Sequence, residues 1–307
     1  MSVASDIVEA LGHQLLRDGL QLTSSSPEDA LARLRATRFG SRPSMDCDVR
    51  VEDVRIEGDL RLRLYFPKGV APTGVLVNIH GGGWVAGSIE QDDDRCRALS
   101  NLIGCATVSV GYRLAPENPF PAGLHDCVVA IRWAHSQAAQ FGAPAGNLAL
   151  LGASAGANLG FAAQLSIARI APSDMPKRQI LLYPICDSSF DFPSYRENER
   201  GYFLTAKDMA WYWDQYLDVA DRADPLASIL RAPNLIGLPP GLIITSQHDP
   251  LRDEGEALAE RLNAQGVKVT CVRFLGAIHG FVSLAPESAL AQLALENIAH
   301  EVRAAFA

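Results

Sequence analysis

The chain has 307 residues, with 27 Lys+Arg against 35 Asp+Glu and a formal net charge of −8. That length can bury a large core without metal or disulfide staples. The acidic balance, with no visible basic patch, speaks against nucleic acid and against anionic membrane surfaces, both of which recruit clustered Lys/Arg.

Residues 1 to about 40 read as two helices: Ile7, Val8, Leu11, Leu15 and Leu16 fall at helical spacing, and Ser26-Pro27-Glu28-Asp29 supplies a cap, an early Pro and first-turn acids. The start of the chain lacks the basic and apolar regions of a secretory signal, and no apolar run reaches membrane length. A soluble, cytoplasmic protein is expected. From Asp48 the apolar period becomes two. Val49, Val51, Val54 and Ile56, then Leu60, Leu62, Leu64 and Phe66, form a hairpin turning at Glu57-Gly58-Asp59.

Strands and helices then alternate. Strands are expected at 75–79, 106–110, 148–151, 179–183, 242–246 and 267–275. Helices are expected at about 93–103, 123–141, 155–170 and 254–264, with a last one from about Glu287. Short continuous apolar strands between helices imply a mostly parallel sheet flanked by helices. Residues 187–224 break the pattern with Phe190, Phe192, Tyr195, Tyr202, Phe203, Trp211, Tyr212, Trp213 and Tyr216, and read as a helical excursion capped at Thr205.

Six cysteines occur, at 47, 96, 105, 127, 186 and 271. None forms a CxxC pair or a zinc-ligand pattern, so reduced, mostly buried thiols are expected.

Gly152-Ala153-Ser154-Ala155-Gly156 lies between a strand and a helix. A serine on such a strained turn needs small neighbours and is lifted above the sheet edge. The bland alternative is a small-residue helix start with Ser154 as a cap. His80-Gly81-Gly82-Gly83-Trp84 follows a strand directly, and its glycines let backbone N–H groups converge, as an oxyanion hole requires. Trp84-Val85-Ala86 lacks the Gly-Lys-Ser/Thr of a phosphate loop.

A serine nucleophile needs a base, and the base needs an orienting carboxylate. Asp249 and His279 both follow strands, where ligands bind in open parallel sheets. Asp253 is a rival acid, read as starting and capping a helix. His248 is read as a structural neighbour of the acid loop, His80 as bonded within the glycine loop, and His300 as a surface residue.

HGGGW at 80–84, YRLAPENPFPAG at 112–123, GASAG at 152–156, DPLRDEG at 249–255 and HGF at 279–281 occur in this order. Together they resemble the hormone-sensitive-lipase-like family of bacterial α/β-hydrolase esterases. The resemblance covers most of the chain. It implies an α/β-hydrolase fold with Ser154 as nucleophile, Asp249 as acid and His279 as base, and oxyanion donors from Gly82, Gly83 and Ala155. It further implies a cap formed by residues 1–45 and the 187–224 insertion, over a catalytic domain of 46–186 and 225–307. Cis bonds at Ala115-Pro116 and Phe120-Pro121, and a homodimer paired through strand 267–275, follow from the same resemblance. Ala153, Gly111, Asn118 and Gln247-His248 depart from the family pattern without removing a triad group.

The expected activity is hydrolysis of short-chain carboxylic esters, small molecules, with no metal or cofactor. Trp84, Tyr195, Phe203, Trp211 and Tyr212 are the candidate substrate contacts. An amide or formamide hydrolase would use the same residues. A receptor such as the gibberellin receptors, relatives that lost the triad histidine, is the rival from another class.

Overall fold

The computed structural model describes residues 2–24, 26–36 and 49–307. Cys47 and the boundary drawn at 45/46 lie outside the described residues.

One eight-stranded sheet organises the chain. β1 (Val49–Ile56) and β2 (Leu60–Pro67) form the expected hairpin, turning through Gly58 and Asp59 in left-handed backbone. β3 (Val75–Ile79), β4 (Ala106–Gly111), β5 (Leu148–Ala153), β6 (Arg178–Leu182), β7 (Gly241–His248) and β8 (Val269–Ile278) follow. The order across the sheet is β1-β2-β4-β3-β5-β6-β7-β8. Only β1–β2 and β2–β4 are antiparallel. β3 and β5 are buried along their whole length, which is why their sequences are apolar without alternation.

The N-terminal segment forms three short helices where two were read: α1 (Ser5–Leu11), α2 (His13–Asp18) and α3 (Pro27–Ala36). Gly12, at φ 78°, ends the first helix and starts the second, and α3 carries the expected cap, with Asp29 N donating to Ser26 Oγ at 3.1 Å. α4 (Asp93–Ile103) packs with the terminal α11 (Ala289–Phe306), and α5 (Ala122–Gln137) packs with α6 (Ala155–Ile170). α7 (Pro193–Glu197) and α8 (Ala206–Tyr216) make up the aromatic excursion. α8 opens on a capping box between Thr205 and Asp208. α9 (Arg252–Ala264) follows β7, and the single turn α10 (Phe281–Leu284) follows β8.

The excursion packs on the N-terminal helices. Phe203 N donates to Leu16 O at 3.0 Å, and Leu22 N donates to Asp208 Oδ1 at 3.4 Å. Ala115-Pro116 and Phe120-Pro121 are cis. No helix among the described residues is long and apolar enough to cross a membrane. Cys96, Cys105, Cys127 and Cys186 are buried free thiols, whereas Cys271 is exposed because β8 is an edge strand.

Candidate active site

Sheet order and register assemble the site before any side chain is considered. β3 lies between β4 and β5, and Ile79 pairs with Gly152. The glycine loop after β3 therefore leaves the sheet beside the serine turn after β5, at the crevice beyond the carboxyl ends of the strands. At the far side His248 pairs with Ile278 across a bulge. The next residue of each strand is then Asp249 and His279.

Ser154 sits at φ 55°, ψ −118°, a backbone rare for a side-chain-bearing residue. Its flanking glycines are required by space. A Cβ on Gly152 would lie 2.4 Å from Gly156 O, and one on Gly156 would lie 2.2 Å from Ile79 O. The cap reading of Ser154 is overturned, since its side chain makes no capping bond to α6. Ser154 Oγ instead lies 2.9 Å from His279 Nε2, and His279 Nδ1 donates to Asp249 Oδ2 at 2.8 Å. The other carboxylate oxygen accepts from Leu251 N at 2.9 Å, and Asp249 is wholly buried. Asp253 is held elsewhere, by Ser194 N (2.8 Å) and Arg252 Nε (2.7 Å); it lies in the first turn of α9 rather than at its cap.

Gly82 and Gly83 have φ of 124° and 58°, and line the same cavity as Ser154. A Cβ on Gly83 would meet the Tyr212 ring at 2.1 Å. Ala155 is the first residue of α6, where helix N–H groups lack intrahelical partners and the dipole is positive. His80 is buried, donates from Nδ1 to Gly81 O at 2.8 Å and stacks on Tyr112; burial holds its pKa below the usual imidazole value. His248 stacks on Tyr202, and His300 is exposed on α11.

The cavity has a volume of about 120 Å³, and of the candidate substrate contacts Phe203 and Tyr212 line it. Trp84, Tyr195 and Trp211 do not. Trp84 takes left-handed backbone and stacks on Tyr216 at 4.2 Å, with its Nε1 donating to Asn158 Oδ1. On α8, Met209 and Tyr212 share the face turned to the cavity, which leaves Trp211 off it by helical rotation. Tyr195 is buried under the acid loop and donates to Glu254 Oε2 at 3.2 Å.

Sequence reading missed several supports. Asn198 Nδ2 donates to Asp249 O and Ser194 Oγ donates to Pro250 O, so the excursion itself holds the acid loop. Asn158 on α6 bonds Ile185 O and Ala227 O as well as Trp84. Tyr183, at φ 38°, packs its ring edge-on against His279. For Asn158 the signal is an Asn inside an apolar helix stretch; Ser194 and Asn198 lie in the polar run 193–200 and carry no such mark. Among the described residues, no group of three or more His, Cys, Asp or Glu is placed to hold a metal ion.

Burial, with Asp187 and Asp249 nearby, pushes the Glu254 carboxyl well above its ordinary range. The native state then keeps a proton that the unfolded chain releases, so this group lowers stability as pH rises above 4.5, its ordinary value. Gln at 254 can accept from Cys186 N, as Glu254 does at 2.7 Å, and can donate to Tyr195 Oη. Melting curves of wild type and Glu254→Gln from pH 5 to 8 should diverge in favour of the variant as pH rises. Parallel curves would remove the assignment.

A mostly parallel sheet with serine, acid and histidine presented in that order from strand ends defines an α/β hydrolase. A family model described as the alpha/beta hydrolase fold matches residues 76–283. The carboxylic ester hydrolase LipN of Mycobacterium tuberculosis is 41% identical over 253 residues, which cover 79% of this chain and 67% of that one. An arylesterase of Saccharolobus solfataricus is 37% identical, over 77% of this chain and 76% of its own. A thermostable esterase from Pseudomonas putida superposes with TM-score 0.89 at 32% identity, covering 100% of this chain and 98% of that one. The chain belongs to the hormone-sensitive-lipase-like family of bacterial α/β-hydrolase esterases. It is a carboxylic ester hydrolase.

Proposed function

We propose that the protein hydrolyses short-chain carboxylic esters through a Ser154–His279–Asp249 triad and an acyl-enzyme. The observation that carries this is the unbroken relay from Ser154 Oγ through both ring nitrogens of His279 to a buried Asp249. Asp249 holds the proton on Nδ1, which leaves Nε2 to take the Ser154 proton as Oγ attacks the ester carbonyl. The oxyanion is met by the N–H groups of Gly82, Gly83 and Ala155. His279 then protonates the leaving alcohol, and afterwards draws a proton from the water that frees the acid.

Residues 1–45 and 187–224 act as one cap over the catalytic domain of 46–186 and 225–307. The Phe203–Leu16 and Asp208–Leu22 bonds support that division. The unpaired thiols support a reducing compartment, the cytoplasm.

The cavity supports the short-chain preference, because 120 Å³ falls below the about 300–1,000 Å³ of drug-sized sites. Each methylene that fits gains about 0.8 kcal/mol. On p-nitrophenyl esters from acetate to palmitate, kcat/KM should therefore rise over the first few carbons and then fall. A maximum on palmitate would make the protein a lipase. An anilide of the best acyl group separates the amidase reading, which the same relay would also serve.

A homodimer paired through β8 is a further part of this reading. Val269, Thr270, Cys271 and Val272 are at least partly open on this edge strand, whereas Val267 is buried ahead of it. Arg273, paired with Glu256, blunts the edge but does not cover it. Light scattering at micromolar concentration should give twice the 33.0 kDa chain mass, and a monomer would end the proposal.

A further inference from the structure

The cavity has two unlike walls. Toward the cap it meets Leu34, Phe203, Leu204, Met209 and Tyr212; elsewhere it meets Gln91, Asp92 and Ser283. Acyl transfer as described uses none of these three polar side chains.

Asp92 is buried just ahead of α4. Its Oδ2 accepts from Asn78 Nδ2 at 3.0 Å and from Arg95 Nη2. Arg95 is buried as well. Its Nη2 also donates to Asn78 Oδ1 at 3.0 Å, and its Nη1 donates to Ser283 Oγ at 2.8 Å. Asn78 stands on β3 and Ser283 on α10, so three separate elements fix the group. Neither Asp92 nor Ser283 can turn away without breaking a buried charged hydrogen bond. Among the described residues, every bond to this carboxylate goes to Oδ2. Oδ1 is left as an acceptor on a side chain that lines the cavity. Ser283 Oγ accepts from Arg95, so its own hydrogen is not used in that bond and can turn to the cavity, with the buried Tyr183 Oη as its protein neighbour.

We propose that Asp92 Oδ1 and Ser283 Oγ form a hydroxyl-binding subsite, so that the preferred substrates are esters carrying a hydroxyl away from the ester group. The proposal rests on the esterase reading of Ser154. A hydroxyl donates and accepts at once, which is what this acceptor and donor pair demands. An alkyl chain in the same place would strip water from a carboxylate oxygen and return no hydrogen bond. A substrate carboxylate would face Asp92, and an ammonium would face the Arg95 guanidinium behind it.

The hydroxyl can come from the acyl or the alcohol half, and two pairs of esters separate these sources. One pair is p-nitrophenyl 3-hydroxybutyrate against p-nitrophenyl butyrate; the other is 2-hydroxyethyl butyrate against propyl butyrate. On at least one pair, wild-type kcat/KM should favour the hydroxylated ester by about tenfold or more. Ser283→Ala and Asp92→Asn should each bring that ratio toward one. Ser283→Ala leaves the buried Asp92–Arg95 pair in place, and carries the test if Asp92→Asn fails to fold. A wild-type ratio at or below one on both pairs overturns the proposal, as does a ratio that Ser283→Ala leaves unchanged. In either case hydrolysis of the plain butyrates leaves the esterase reading standing, whereas no hydrolysis of any of the four esters removes both.

Discussion

Ser154→Ala should abolish ester hydrolysis while the fold survives, with kcat falling on the order of 10⁴-fold or more. The nucleophilic oxygen is lost, and it is the hydroxyl that His279 Nε2 meets among the described residues. Stability should hardly change. The Ser154 side chain makes no capping bond, and Ala tolerates the positive φ of 55° no worse than Ser does. Initial rates on p-nitrophenyl butyrate, beside a thermal melt, decide the matter. A folded variant keeping more than about a tenth of wild-type rate would show that Ser154 is not the nucleophile, since triad losses are far larger.

Asp249→Asn should cost about 10⁴-fold in kcat with little change in KM. The carboxylate accepts from His279 Nδ1 through Oδ2 and from Leu251 N through Oδ1. An amide in its place keeps the acceptor for Leu251 N and turns its NH₂ toward the ring. That favours the imidazole tautomer with the proton on Nε2, which cannot receive the Ser154 proton. Asp253→Asn is the control. Asp253 anchors Ser194 N and Arg252, and its loss should lower rate by less than about tenfold, as loss of a positioning contact does. If Asp253→Asn is the more damaging of the two, the acid has been misassigned.

Most of the fold was legible because its signals are local. The strands read as continuous apolar runs since helices cover the sheet, and the hairpin read as alternation since β1 keeps an exposed face. The residues of the relay were legible for a related reason. The tight glycines around Ser154 are demanded by backbone geometry at single positions, whereas Asp249 and His279 stood out by following strands and by the family resemblance. Aromatic content was a poorer guide. Trp84, Tyr195 and Trp211 are as large as Phe203 and Tyr212, and the backbone turn at Trp84, the burial of Tyr195 against Glu254 and the rotation along α8 separate wall from cavity.

From the sequence alone came the fold class, the strand order in time, and the identity of Ser154, Asp249 and His279 as the residues to watch. The tertiary structure decided which of them meet. Placing β3 against β5 sets the glycine loop beside Ser154, and the order β5-β6-β7-β8 with its bulge between β7 and β8 brings together groups separated by 125 and 30 residues in the chain. It also decided that Asn198 and Ser194 brace the acid loop, and that Asp92 and Ser283 share one cavity through Arg95. Periodicity reports which face of an element is buried. It carries no information about which distant element supplies the partner, because that depends on register and on the order in which strands enter the sheet.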